Sequence, residues 1–230
     1  MKYFFFILSS LLSHTLLGQD YRDYQSLLSS CVTNNGKVDY KKLVTEKVKL
    51  NQVAASLAEF KESEIVGRKD KLAFWINIYN LFTLKLIVDH YPVKSIQDID
   101  HGKTWDVKRI KIENSEYSLN QIENEIIRPV YQDARVHFAL NCAALSCPPL
   151  LNKVFTGNTL DGLLEQQAKA FISKELMSYD GKKIRISKIF EWYKNDFGNL
   201  IAFLSKYSNT KLNESTIIEY TEYSWKLNER

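Results

Sequence analysis

The run from Asp70 to Val88 limits what this chain can fold into more than any other segment. Ala73, Phe74, Trp75, Ile76, Ile78, Tyr79, Leu81, Phe82, Leu84, Leu86 and Ile87 cover nearly the whole circumference of a helix there. A helix that is apolar on all sides must be enclosed by the rest of its protein. Pro92 ends it, having no N–H to continue the ladder. Two amides interrupt the apolar surface, Asn77 and Asn80, three residues apart and so on neighbouring faces. A buried amide left without partners costs ~1–3 kcal/mol. Each must therefore tie loop backbone to the helix, or meet a ligand or a catalytic group.

The flanking segments supply the enclosure. Residues 20–32 read as an amphipathic helix with Tyr24, Leu27, Leu28 and Cys31 on one face, and residues 47–61 as another with Val48, Val53, Leu57 and Phe60. Trp105 to Ile112 alternates and turns at Glu113-Asn114-Ser115 toward Glu116-Tyr117, a hairpin. Ser118 and Gln121 have capping-box spacing and open a helix that Pro129 is expected to stop. Arg135 to Leu140 reads as a short apolar strand, 158–176 as a helix, and 177–186 as a second hairpin around Asp180-Gly181. Ser187 opens a helix through Trp192 and Tyr193 toward Phe197, closed by Gly198. Residues 200–207 read as a further helix, and 217–223 as a closing strand. Helices and strands mix without regular alternation. The class implied is α+β: a small, mostly antiparallel sheet around a buried central helix at about 70–88, with further helices outside.

Residues 1–18 have the layout of a secretory signal peptide, with Lys2, an apolar stretch from Tyr3 to Leu12, and a plausible cut before Gln19. The run is too short for a membrane span, which needs ~20 apolar residues. The expectation is an exported protein, periplasmic or extracellular, without a stable membrane anchor after cleavage. Residues 19–230 then form one globular domain with a helical preamble at about 20–61. The net charge of +4 comes from interleaved acids and bases with no basic stripe, so nucleic acid is not an expected partner. A small molecule or a peptide is the ligand class left open.

The segment from Asp133 to Leu150 gathers the reactive chemistry. It carries His137, Cys142 and Cys147, and closes on Pro148-Pro149. Three cysteines in an exported chain leave at least one thiol unpaired or intermolecular. One reading is a Cys142–Cys147 disulfide closing a small loop; another is a nucleophilic Cys142 activated by His137; a third is inert buried thiol. On a strand, the odd spacing of His137 and Cys142 puts them on opposite faces, so they meet only if the chain turns near Asn141. Asn77 or Asp196 would then orient the histidine. Glu123 and Arg128, with Arg135 nearby, could form an internal ion pair beside the strand or an anion clamp, since arginine offers a planar fork for a carboxylate. Trp192 and Tyr193 wall a pocket or simply pack, and Asn80 contributes an amide. His90, His101 and His137 lack any HxxxH or HExxH spacing, so neither a metal site nor a cofactor is called for.

Several stretches resemble the domain-of-unknown-function 547 family. They are Trp75-Ile76-Asn77-Ile78-Tyr79-Asn80, Ser118 to Glu123, Arg135 to Leu140 with Cys142 and Cys147-Pro148-Pro149, Trp192 to Phe197, and Tyr223 to Asn228. The resemblance spans roughly Gly36 to the C-terminus, in the family's order. Members with an export signal are familiar in bacteria of the Bacteroidetes type. The family's name implies no established activity, and no catalytic assignment comes with it. One departure is Ala143, where the family pattern often has glycine, which stiffens the turn. The residues themselves suggest a thiol-dependent hydrolase or acyl transferase acting on an amide or ester bond. Cys142, His137, and Asn77 or Asp196 would be its catalytic groups, with Asn80, Arg135, Trp192 and Tyr193 at the ligand. The alternative is a non-catalytic envelope module that binds a small ligand or peptide and keeps Cys142 and Cys147 as a structural disulfide.

Overall fold

The apolar run becomes a 23-residue helix, Arg68–His90, in a computed structural model that describes residues 21–230. The export signal read at residues 1–18 lies outside the described residues. Length and hydropathy alone would suit this helix to a membrane, but 83% of its apolar window is buried inside the protein. It is the core helix the all-round apolar pattern requires.

Three helical pieces pack on one side of it: residues 21–31, Tyr40–Thr45 and Lys47–Ala58. Strands β1 (Ile110–Ile112) and β2 (Ser115–Tyr117) form the expected hairpin, antiparallel, with Ile110 opposite Tyr117. Ile110 and Ile112 face inward and Lys111 outward, as alternation demands. The Ser118–Gln121 capping box forms in both directions. The helix it opens does not stop at Pro129. It widens to π-helical spacing over Ile122–Ile127 and resumes over Arg128–Tyr131. Proline cannot donate to the carbonyl one turn back, and the wider turn before it absorbs that mismatch.

A second core gathers Phe138, Phe171, Phe190, Phe197, Ile184, Ile186 and Leu204. The helix Leu160–Leu176 covers it, and the expected helix from Ser187 to Phe197 breaks at Tyr193 into Ile189–Trp192 and Lys194–Phe197. The hairpin expected around Asp180-Gly181 does not form. The Asp180 carboxylate accepts from the Lys182 and Lys183 amides and launches β3 (Lys183–Ile186), which pairs in parallel with β4 (Ile217–Tyr220). The other side of the turn stays helical to Leu176, and Ser178 satisfies Arg185 with its hydroxyl. The fold is α+β, its sheet divided into two two-stranded pieces, one antiparallel and one parallel.

The C-terminal tail stitches the molecule together. Its backbone bonds Lys94, Val38, Ala143 and Leu145 through Lys226, Leu227, Asn228 and Arg230.

Candidate functional site

His137 does not lie on a strand. Ala134–Phe138 is a turn of 3₁₀-helix capped by Asp133, whose carboxylate accepts from the Arg135 amide at 3.0 Å. A short apolar run fits a buried strand or a buried turn equally well, and the Asp133 cap decides it locally. His137 and Cys142 are therefore not forced onto opposite faces. Asn141 then turns the chain, as anticipated. Its side-chain oxygen accepts from the Ala143 amide at 3.0 Å and from Asn228 Nδ2 at 3.2 Å, and its Nδ2 donates to the Pro148 carbonyl at 2.8 Å. This buried amide brackets both ends of the cysteine loop.

His137 and Cys142 thereby open into one cleft of about 260 Å³ at the seam between the two cores. Cys147, Glu123, Tyr79 and Tyr193 share its walls, and Trp105, Trp192, Tyr223 and Trp225 surround them. These four rings form one aromatic cluster: Trp105 lies edge-on to Trp225 at 5.4 Å, and Trp192 stacks on Trp225 at 6.1 Å. Trp192 is 46% exposed, a large apolar face left open at the mouth.

The thiols touch. Cys142 and Cys147 are both free, with Sγ atoms 3.0 Å apart, close but not bonded. The Cys142 amide donates to Cys147 Sγ at 3.0 Å, and the Tyr223 hydroxyl lies 3.3 Å from Cys142 Sγ. Hydrogen bonding from Cys147, and then from Tyr223, outweighs burial and pulls the Cys142 thiol below its ordinary value. Burial, and then the neighbouring Cys142, hold Cys147 well above its own. Of the two thiols, Cys142 is the one that gives up its proton first.

His137 Nε2 lies 2.7 Å from Asp196 Oδ2, and Arg128 holds the same carboxylate from its other side at 2.7 and 3.1 Å. Hydrogen bonds from Arg128 and His137 together overcome burial and keep Asp196 below the usual carboxylate range. An ionised Asp196 only accepts, so Nε2 carries the proton and Nδ1 is the accepting nitrogen. Burial, opposed by Asp196, lowers His137 to about 4, so its ring is neutral near pH 7. Glu123 is the carboxyl of the cleft. It does not pair with Arg128; it accepts from the Tyr193 hydroxyl at 2.6 Å, and burial raises its pKa.

Of the residues the sequence singles out, the structure brings Cys142, His137, Trp192 and Tyr193 to the cleft, with Asp196 behind the histidine. Three stand elsewhere. Asn77 is spent on the Phe155 backbone, donating at 2.7 Å and accepting at 3.0 Å. Asn80 does the same between the Ala139 carbonyl and the Asn141 amide, both at 2.9 Å. Arg135 is held by Asp133, Asp161 and Glu165 in a surface ion network. Among the described residues, no three His, Cys, Asp or Glu side chains gather to hold a metal. The sequence points to Glu123 only as a partner for Arg128, not as a cleft group, and it does not single out Tyr79, Tyr223, Trp105 or Trp225 as cleft walls. The available signal was that Tyr79, Glu123, Tyr223 and Trp225 all lie within the stretches that carry the family resemblance.

Comparison with curated proteins and with solved structures found no match. The family model described as "Protein of unknown function, DUF547" matches residues 63–172, a narrower span than Gly36 to the C-terminus. The chain therefore resembles that family over the central helix, Glu123, His137 and both loop cysteines, while Trp192, Asp196 and Tyr223 fall outside the matched span.

Proposed function

We propose that the cleft is a thiol-dependent active site, a hydrolase or acyl transferase that acts on an amide or ester bond with Cys142 as its nucleophile. The supporting observation is that the Cys142 thiol opens into the same cleft as a neutral His137 whose Nε2 is held by Asp196. In this reading the Cys142 sulfur attacks the carbonyl carbon and forms a thioester. The leaving alcohol or amine takes the proton that the thiol gave up. Water, or a second nucleophile, then attacks the thioester and frees Cys142. His137 accepts and returns the proton at Nδ1, and Asp196 fixes the ring. A pKa near 4 makes His137 a weak base at neutral pH. Glu123, raised by burial, is the second proton carrier of the cleft. The setting that goes with this reading is the exported one suggested by residues 1–18.

The test is acyl transfer from p-nitrophenyl acetate, with the acetyl adduct located by mass spectrometry. The expected adduct is on Cys142, and Cys142→Ser loses turnover while keeping the wild-type melting temperature. An adduct spread over Cys31 and Cys147 at similar rates would overturn the reading.

The aromatic cluster favours one alternative, a binding module whose ligand stacks on Trp192 and Trp225. That reading requires ligand affinity to be unchanged in Cys142→Ser and lost in Trp192→Ala.

A further inference from the structure

We propose that Cys142 and Cys147 form a dithiol that reduces external disulfides, a thiol–disulfide exchange activity whose substrate is a small-molecule or peptide disulfide entering the aromatic cleft. The proposal rests on the reading of Cys142 as the cleft's nucleophilic thiol. It goes beyond that reading by giving Cys147 a chemical role.

The geometry carries it. The sulfurs are 3.0 Å apart, whereas a disulfide bond is ~2.05 Å long, so closure needs an approach of about 1 Å. The loop between them is already folded for it. The Cys147 amide donates to the Ala144 carbonyl at 3.1 Å, and Asn141 fastens the loop to Pro148 at 2.8 Å. Cys142 lines the aromatic cleft, and Cys147 lines both that cleft and the recess behind it, beside Asn141 and Gln167.

The two sulfurs are also unequal, as exchange requires. The Tyr223 hydroxyl lies 3.3 Å from Cys142 Sγ, whereas Cys147 Sγ accepts from the Cys142 amide at 3.0 Å and is placed to donate toward the Leu140 carbonyl at 3.7 Å. Cys142 is therefore the attacking sulfur. Its thiolate displaces one thiolate from the external disulfide R–S–S–R′, forming Cys142–S–S–R and releasing R′–S⁻, which takes up a proton. Cys142 then carries no charge, so burial still raises Cys147 but the part of the raise that comes from its neighbour is gone. Cys147 loses its proton and attacks Cys142 Sγ, closing the internal bridge and releasing R–S⁻, which is protonated in turn. Two electrons and two protons pass from the protein dithiol to the external disulfide, which is the oxidant.

The experiment equilibrates the full chain with mixtures of reduced and oxidised glutathione, quenches with acid and maps the thiols by alkylation and mass spectrometry. The wild type is expected to form a Cys142–Cys147 bridge that rises with the oxidised share and reverses when the mixture is made reducing. Cys147→Ser is expected to accumulate glutathione on Cys142. Cys142→Ser is expected to acquire glutathione on Cys147 at least tenfold more slowly. A wild type that stays a dithiol at every ratio, or that bridges to Cys31 instead, overturns the proposal. Alkylation of the fully reduced wild type separates the two readings. Rapid labelling of Cys142 with no bridge leaves the nucleophile standing and removes only the exchange. Labelling no faster than that of a free cysteine removes both.

Discussion

His137 is kept neutral by its surroundings. Its ring stacks on Tyr193 with centroids 4.0 Å apart and tilts against Phe197 at 5.4 Å, so charging it means charging an aromatic enclosure. Burial brings its pKa to about 4 from the 6.5 of the unfolded chain, Asp196 pulling the other way and Arg128 adding to the lowering. Between those values the unfolded chain binds the proton and the folded one does not. Stability therefore rises with pH across that window, and the dependence levels off below pH 4, where both forms are protonated. The full difference is ~3 kcal/mol. Asp196, with its depressed pKa, adds stability that is lost in the same sense as pH falls. Glu123 acts in the opposite sense: its raised pKa gives the folded state the extra proton, a contribution lost as pH rises. His137→Gln keeps a polar side chain there and removes the titration. Denaturant unfolding of the wild type at pH 4.5 and 6.5 should show a stability gap larger than the variant's by roughly 1–2 kcal/mol. Equal gaps would assign the dependence to the carboxyl groups.

At the scale of elements, the cysteine loop is hung from the central helix by one amide. Asn80 holds the Ala139 carbonyl and the Asn141 amide, and Asn141 in turn holds the loop's far end. Asn80→Ala strands two buried backbone groups and should cost roughly 2–4 kcal/mol. Asn77→Ala does the same at Phe155, away from the thiols, and should cost a similar amount. Only Asn80→Ala should also change the alkylation rate of Cys142, by about tenfold, since thiol reactivity follows the local hydrogen bonds. Equal effects of the two variants on that rate would mean the loop holds its shape without the helix. Ala143 marks the same loop. It is buried at φ 60°, the left-handed region that glycine adopts freely, so an alanine there holds local strain. These elements also mark how far the sequence could be read. The central helix, the Ser118 capping box and the β1–β2 hairpin were legible because local periodicity and caps determine them. The turn at His137 was not, because a five-residue run with three buried side chains, Val136, His137 and Phe138, fits either period and only Asp133 broke the tie. The parallel pairing of β3 with β4 is a contact between distant segments, and no local pattern in Lys183–Ile186 announces its partner.

At the scale of the whole molecule, the cleft exists because two cores meet. Val136 and Leu140 belong to the core of the central helix, whereas Phe138 belongs to the aromatic one. The short turn that carries His137 thus drives alternate side chains into different cores, and the cleft runs along their seam. The tail closes that seam from outside the family-matched span. Tyr223 reaches Cys142, and Trp225 stands between Trp105 and Trp192. Beyond them, Leu227 donates to Lys94, Asn228 to Ala143 and Arg230 to Val38, while Lys226 and Asn228 accept from Leu145 and Val38. Deleting residues 225–230 removes these five backbone bonds and buried Leu227. At about 1 kcal/mol net for each bond, the loss is on the order of 5 kcal/mol. For a domain of this size that corresponds to a melting temperature lower by about 10–20 °C. Trp225→Ala opens the cleft but leaves every backbone stitch in place, so calorimetry should find it much nearer to the wild type. A Trp225→Ala melting temperature as low as that of the deletion would mean that the tail acts through its aromatic ring, with the backbone stitches contributing little.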